Sequence, residues 1–162
     1  MKRLWAPWRM AWIGAAKAGA RCIFCDALAA DDDRGRFVLT RGTHAFLLLN
    51  AFPYASGHLM AAVKRHVGAV TDARVDELAD AMALVQRAIV ALGAEYRPDG
   101  YNIGINQGGA AGAGIEDHLH VHVVPRWNGD SNFMPVVGDV RLMPEHLLAT
   151  YDRLKPAFAW LA

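Results

Sequence analysis

The segment His118-Leu119-His120-Val121-His122-Val123-Val124-Pro125 limits what this chain can fold into more than any other. Polar and apolar residues alternate strictly, and most of the apolar ones are β-branched. That is the pattern of a strand, in which residues two apart share a face. All three imidazoles then project to one side, neighbours about 7 Å apart, while Leu119, Val121 and Val123 fill the other. Imidazole is poor core filler, so three on one face need water, a metal or a substrate. Just upstream, residues 106–114 read Asn-Gln-Gly-Gly-Ala-Ala-Gly-Ala-Gly, a loop whose small residues let backbone N–H groups approach an anion closely. Histidines facing such a cradle point to chemistry at phosphorus.

With 162 residues, the chain is expected to form one domain over 1–162 with a core that needs no disulfide staple. A hydrophobic share of 54% beside 20% charged residues fits a soluble globular protein. The formal net charge of +1 gives no basic footprint, which argues against long nucleic acid as a partner. No apolar run reaches bilayer-spanning length, and Pro7 and Arg9 interrupt any leader-like apolar stretch, so a cytoplasmic location is expected. The two cysteines, Cys22 and Cys25, form a C-x-x-C. In a reducing compartment that spacing favours a metal site or a redox pair over a structural disulfide. A redox pair normally opens a helix after a strand, whereas this one lies in a stretch that reads as loop, so metal is favoured. Tetrahedral zinc needs two more ligands, and histidine is the obvious source.

Along the chain, residues 36–40, 44–50, 58–64, 101–106 and 118–124 read as five strands. Val75, Leu78, Met82, Val85, Ile89 and Leu92 step by three and four, which predicts one amphipathic helix over 71–92, stopped by Gly93. Pro144 suits the first turn of a last helix with Leu147, Leu148, Tyr151 and Leu154 on its apolar side. Strands with short turns around one long helix indicate an α+β domain with a five-stranded, mostly antiparallel sheet and a C-terminal helix. Trp5, Trp8 and Trp12 lie too close together to stay wet, and pack either on the domain or on a second subunit.

The run His118-x-His120-x-His122 with two apolar residues after it resembles the signature of the histidine triad family of nucleotide hydrolases and transferases. The continuation from Pro125 through Arg126-Trp127-Asn128-Gly129-Asp130 to Phe133 is similar to the branch of diadenosine tetraphosphate phosphorylases and related dinucleoside polyphosphate enzymes. The resemblance extends from about Leu4 to the final helix. It implies a five-stranded fold with helices on one face, commonly as a homodimer, acting on a purine nucleotide or dinucleotide.

On that resemblance His120 is the nucleophile that forms a nucleotidyl-histidine, His122 bonds the phosphate or bridging oxygen, and His58 assists. Asn106, Gly112 and Gly114 belong to the phosphate side. Phe24 and Leu49, with Ile23, Leu28 and Leu48, match positions that sandwich a purine, and Asn50 falls where the ribose hydroxyls bind. Trp127 is expected at the substrate entrance, on the second nucleoside. Cys22, Cys25, His66 and His118 match the ligands of a structural zinc. Some relatives carry a serine just before the triad where this chain has Gly114 and Ile115, so water and phosphate both stand as acceptors. A nucleoside phosphoramidase, a non-catalytic zinc and nucleotide-binding protein, and three histidines jointly binding a catalytic metal are the other readings. The last is disfavoured because it leaves Cys22 and Cys25 without a purpose.

Overall fold

The computed structural model describes residues 22–130 and 145–160. Its strands are β1 (Val38–Arg41), β2 (Ala45–Leu49), β3 (Leu59–Val63), β4 (Gly100–Gly104) and β5 (His120–Arg126). They form one antiparallel sheet in the order β1-β2-β3-β5-β4. Helix α1 (Ile23–Ala29) precedes the sheet and α2 (Val75–Tyr96) connects β3 to β4. Helices α3 (Leu147–Leu154) and α4 (Ala157–Trp160) follow β5. All five expected strands are present with ends moved by one or two residues, the long helix is displaced by four residues at each end, and a C-terminal helix follows. The three N-terminal tryptophans, Pro144 and the stretch 131–133 lie outside the described residues.

Alternation along the strands divides the core in two. Leu47, Leu49, Leu59, Ala61, Val121 and Val123 face α2, α3 and α4. Phe46, Leu48, Met60 and Ala62 face the other way, where they pack with Phe24 and Ala27 of α1. Helices therefore cover both faces, not one. The short α1 holds Cys22 at its N-cap and Cys25 in its first turn, so the C-x-x-C opens a helix and does not lie in a loop. Seven residues are too few to show a helical period, which is why this element is not legible from pattern.

Helix α2 departs from expectation at both ends. It begins at Val75, because the Glu77 carboxylate accepts the Arg74 N–H at 2.8 Å and caps the first turn, leaving Val70–Asp72 as a separate 3-10 turn. It runs through Gly93 and stops only where Arg97 turns left-handed at φ 47°. The buried stripe is Ala81, Leu84, Val85, Ala88, Ala91 and Leu92. Val75, counted in the expected stripe, is 84% exposed, and Met82 is exposed as well. Alanines let the helix axis come close to the sheet, and a count of large apolar residues passes over them. Gly57 repeats the theme: its φ is +77°, and an added Cβ would lie 2.8 Å from Leu92 Cδ2.

Candidate active site and metal centre

Four side chains converge where α1, the end of β3 and the start of β5 meet. Cys22 Sγ lies 3.2 Å from His118 Nδ1, Cys25 Sγ lies 3.3 Å from His66 Nδ1, and Cys25 Sγ lies 3.6 Å from His118 Nδ1. All four donor atoms fall within 4.8 Å of one another. Tetrahedral coordination by two thiolates and two imidazoles puts ligand atoms about 3.3–3.8 Å apart, so the set fits one ion of that class. The His118 ring is already oriented for it: Nε2–H donates to the Val63 carbonyl at 2.7 Å, which leaves the lone pair on Nδ1 toward the thiols. Burial holds the His118 pKa below its usual value, keeping the ring in its neutral, ligating form. His66 follows Arg65, whose guanidinium grips the buried Glu77 carboxylate at 2.9 and 2.8 Å and the Asp72 carbonyl at 2.7 Å. The segment after β3 is thereby tied to the start of α2.

The other two histidines of the strand form a second centre. His120 Nδ1–H donates to the His118 carbonyl at 2.7 Å, so its lone pair is on Nε2. His120 is 5% exposed, and that burial lowers its pKa, keeping the imidazole neutral. His58, just before β3, accepts the Tyr54 amide at its Nδ1 (3.1 Å), which puts its proton on Nε2. That proton points at His122 Nδ1, 3.0 Å away, so the His122 proton sits on Nε2. Register explains the meeting: Met60 pairs with His122 and Ala62 with His120, so residues 58, 60 and 62 share the histidine face. One neutral imidazole with a basic Nε2 thus stands beside another with a protonated Nε2, their rings 4.8 Å apart. A nucleophile next to a proton donor can exchange groups at an electrophilic phosphorus.

The other expected site residues divide. Phe24 reaches the histidines, its ring centre 4.8 Å from His120 and 5.0 Å from His118, but it is fully buried there and also packs edge-on against Phe46. It supports the imidazoles and offers no open face to a base. Leu49 does not reach them: strand alternation turns it into the α2-facing core, and Leu48 takes the histidine face. Asn50 braces His58, with Nδ2 at 3.3 Å from its Nδ1 and Oδ1 accepting the Phe52 amide. Asn106 is half-buried where the glycine loop begins. The loop itself is curled: the amides of Ala111, Gly112 and Ala113 bond to the Gly108 and Gly109 carbonyls. The Gly112 N–H is therefore taken up inside the loop and is not offered to an anion. Gly114 precedes Ile115, which packs on the α1-side core, so this end of the loop stays near the histidine face. Trp127 is not brought to the site. Its side chain faces α2 and donates to the Tyr96 carbonyl at 3.3 Å, about 16 Å along the strand from His122.

Two features were missed. Tyr54 lies 4.6 Å from the His58 ring and stacks at 6.1 Å on His122. An aromatic in a Pro53-to-Gly57 turn leading into a histidine is the signal that could have found it. Gly104, opposite His122 in the β4–β5 register, has nothing within 4 Å of where a Cβ would be. The Gly108 position is open as well. Phe24 covers the His118 side, whereas the Gly104 position beside His122 in β4 is open. A hollow of about 490 Å³ beside β1 and another of about 370 Å³ between Tyr96, Trp127 and Arg153 are lined by none of the histidines.

Comparison with known proteins agrees with this geometry. The HIT domain model matches residues 34–129. An AP-4-A phosphorylase of Mycobacterium tuberculosis is 37% identical over 98% of this chain and 85% of its own length. The adenosine 5'-monophosphoramidase of Schizosaccharomyces pombe is 30% identical over 66% of this chain and 75% of its own. Among solved structures, a zinc-bound histidine triad family protein of Mycobacterium smegmatis superposes with a TM-score of 0.63 at 25% identity, covering 94% of this chain and 96% of that one. A hypothetical histidine triad nucleotide-binding protein of Sulfolobus tokodaii gives 0.68 at 23% identity, covering 86% and 93%. A model that matches more than half of the chain and a relative aligned along nearly all of it lead to one conclusion: the chain belongs to the histidine triad, or HIT, family.

Proposed function

We propose that this protein is a nucleotidyl hydrolase or transferase acting on dinucleoside polyphosphates of the diadenosine tetraphosphate kind. The observation that carries the reading is the pairing of a basic His120 Nε2 with a protonated His122 Nε2 on one face of the sheet. The 37% identity to a protein named AP-4-A phosphorylase supports the substrate class. His120 Nε2 attacks a phosphorus and forms an N–P bond as the P–O bond to the departing nucleotide breaks. His122 gives its Nε2 proton to the departing oxygen while the His58 Nε2–H bond to its Nδ1 steadies the ring. Water or phosphate then attacks the same phosphorus and returns a proton to His122 Nε2, and His120 leaves with its lone pair restored. Asn50 and Tyr54 hold His58 in the tautomer this needs. Asn106 and Gly114 serve the phosphates.

The thiolates of Cys22 and Cys25 with Nδ1 of His66 and His118 hold zinc in this reading. The ion supplies no step; it pins α1 and the turn after β3 to the start of the catalytic strand. Two subunits associate through the open edge of β4, and the pair works in the cytoplasm on nucleotides. A second reading, hydrolysis of adenylyl-amines, is supported by the 30% identical monophosphoramidase.

The test is product analysis with diadenosine tetraphosphate and adenosine 5'-monophosphoramidate, each with and without phosphate. Phosphate-dependent release of a nucleoside diphosphate assigns the phosphorylase; turnover of the amidate alone moves the second reading ahead. Turnover of neither substrate overturns the enzymatic proposal.

A further inference from the structure

Cys22 and Cys25 carry a chemistry that metal binding does not exhaust. Their Sγ atoms lie within 4.8 Å of one another, one at the cap and one in the first turn of α1, and both side chains are half-buried, not sealed away. Neither is in a disulfide in the described structure. Two cysteines three apart at the start of a helix approach each other by rotation about χ1 alone, without moving the sheet. Zinc keeps both as thiolates, the nucleophilic form of sulfur.

We propose that this pair is an oxidative modification site: hydrogen peroxide converts the two zinc-bound thiolates to one Cys22–Cys25 disulfide and expels the ion. One thiolate attacks a peroxide oxygen, giving a sulfenic acid and hydroxide. The second thiolate attacks that sulfur, forms the S–S bond and releases a second hydroxide. Two electrons pass from the sulfurs to the peroxide, and the metal is left with His66 and His118 alone. Two imidazoles do not hold zinc in competition with water and chelators, so it dissociates. A thiol reductant restores the dithiol, and zinc rebinds.

The location gives the event a consequence. His118 is shared: its ring faces the thiols, and its carbonyl receives the His120 Nδ1–H at 2.7 Å. Among the described residues, the Cys22–Cys25–His66–His118 cluster brings α1 and the turn at His66 to the start of β5, and a bound ion would join them. Oxidation removes that joint, so the oxidised protein melts at lower temperature than the zinc form.

The inference rests on the zinc reading, and the experiment keeps the two apart. Zinc and free thiols are counted in the protein as purified, then followed during treatment with hydrogen peroxide in the presence of a chromogenic zinc chelator. Trypsin cleaves after Arg21 and Arg34, so both cysteines fall in peptide 22–34, whose mass reports the product. The expected result is loss of both thiols together with about one zinc per chain, a peptide lighter by two hydrogens, and recovery of both counts on adding a thiol reductant and zinc. Protein purified with no zinc overturns the metal reading and, with it, metal release. Zinc that is present but stays bound after peroxide, or leaves with the sulfurs carried to sulfinic or sulfonic acid without a disulfide, overturns this inference alone.

Discussion

His120 and His122 occupy equivalent positions of one strand, yet backbone contacts give them opposite roles. The His118 carbonyl takes the His120 Nδ1 proton, and the Tyr54 amide acting through His58 places the His122 proton on Nε2. Replacing His120 with Asn therefore removes the covalent route while leaving the strand and the metal ligands in place. We expect kcat to fall by several orders of magnitude, about 10⁴-fold or more, with nucleotide binding retained. Acid-avoiding quench with a labelled dinucleotide traps an adenylyl group on the wild type and none on the variant. His58→Gln removes the group that sets the tautomer of His122 without removing the nucleophile, and we expect kcat to drop about 10²-fold with KM little changed. If His58→Gln is as inactive as His120→Asn, the relay assignment is wrong. The shared face of the imidazoles was legible in the sequence, since period-two alternation alone dictates it. The tautomers were not, because each depends on a backbone carbonyl or amide that only strand pairing delivers.

At the scale of elements, Glu77 links the cap of α2 to the segment carrying His66. It is 2% exposed, and the hydrogen bonds from the Arg65 guanidinium, with the Arg74 amide, pull its pKa from an ordinary 4.5 down to about 2. A carboxyl whose folded pKa is depressed stabilises the fold fully above its unfolded pKa and loses that contribution as pH falls through the folded one. Glu77→Gln should thus cost about 3 kcal/mol near neutrality, an amount trimmed by the half-exposed Arg65 partner. The gap to wild type should close between pH 4.5 and 2 in denaturant titrations. A gap that is unchanged at pH 2.5 would show that the ion pair is not its source. Removing the metal proposed for the Cys22–Cys25–His66–His118 cluster is expected to act on the neighbouring joint. Cys22→Ala should lower Tm by about 6–12 °C, the equivalent of about 3 kcal/mol in a chain of this size, and change the chemical step less. Scanning calorimetry beside single-turnover rates separates the two effects. The resemblance named the four residues that cluster, but the pattern took the C-x-x-C for a loop because α1 is too short for a period to appear. It also stopped α2 at Gly93, where packing against the sheet outweighs the roughly 1 kcal/mol that a helical glycine costs.

For the whole molecule, the sheet has two edges, and they are treated differently. At β1 the Lys155 ammonium reaches the Leu39 carbonyl at 2.9 Å and the Tyr151 hydroxyl reaches the Val38 carbonyl at 3.2 Å, so the C-terminal helices cover it. At β4 the middle residues are exposed, including Ile103 at 45%, with Ile105 exposed just beyond the strand. Among the described residues no strand pairs with the outer side of β4; an edge with apolar side chains is a template for a second copy of itself, and an antiparallel pairing of two such edges closes under two-fold symmetry. This is the surface proposed for the homodimer that the resemblance implies, and pattern alone did not identify it, because strand order is invisible until the partners of β5 are known. Trp127 was read as a substrate contact for a related reason: alternation puts it on the α2 side, yet its closeness in sequence to the histidines suggested the site. Ile103→Lys places a charge on the edge without disturbing the chain's own core, as the side chain is already in water. We expect the wild type to sediment as a dimer and the variant as a monomer at micromolar concentration, with a far-ultraviolet circular dichroism spectrum identical to wild type. A variant that stays dimeric at the same concentrations locates the interface elsewhere and leaves the β4 edge as a solvated border of the substrate groove.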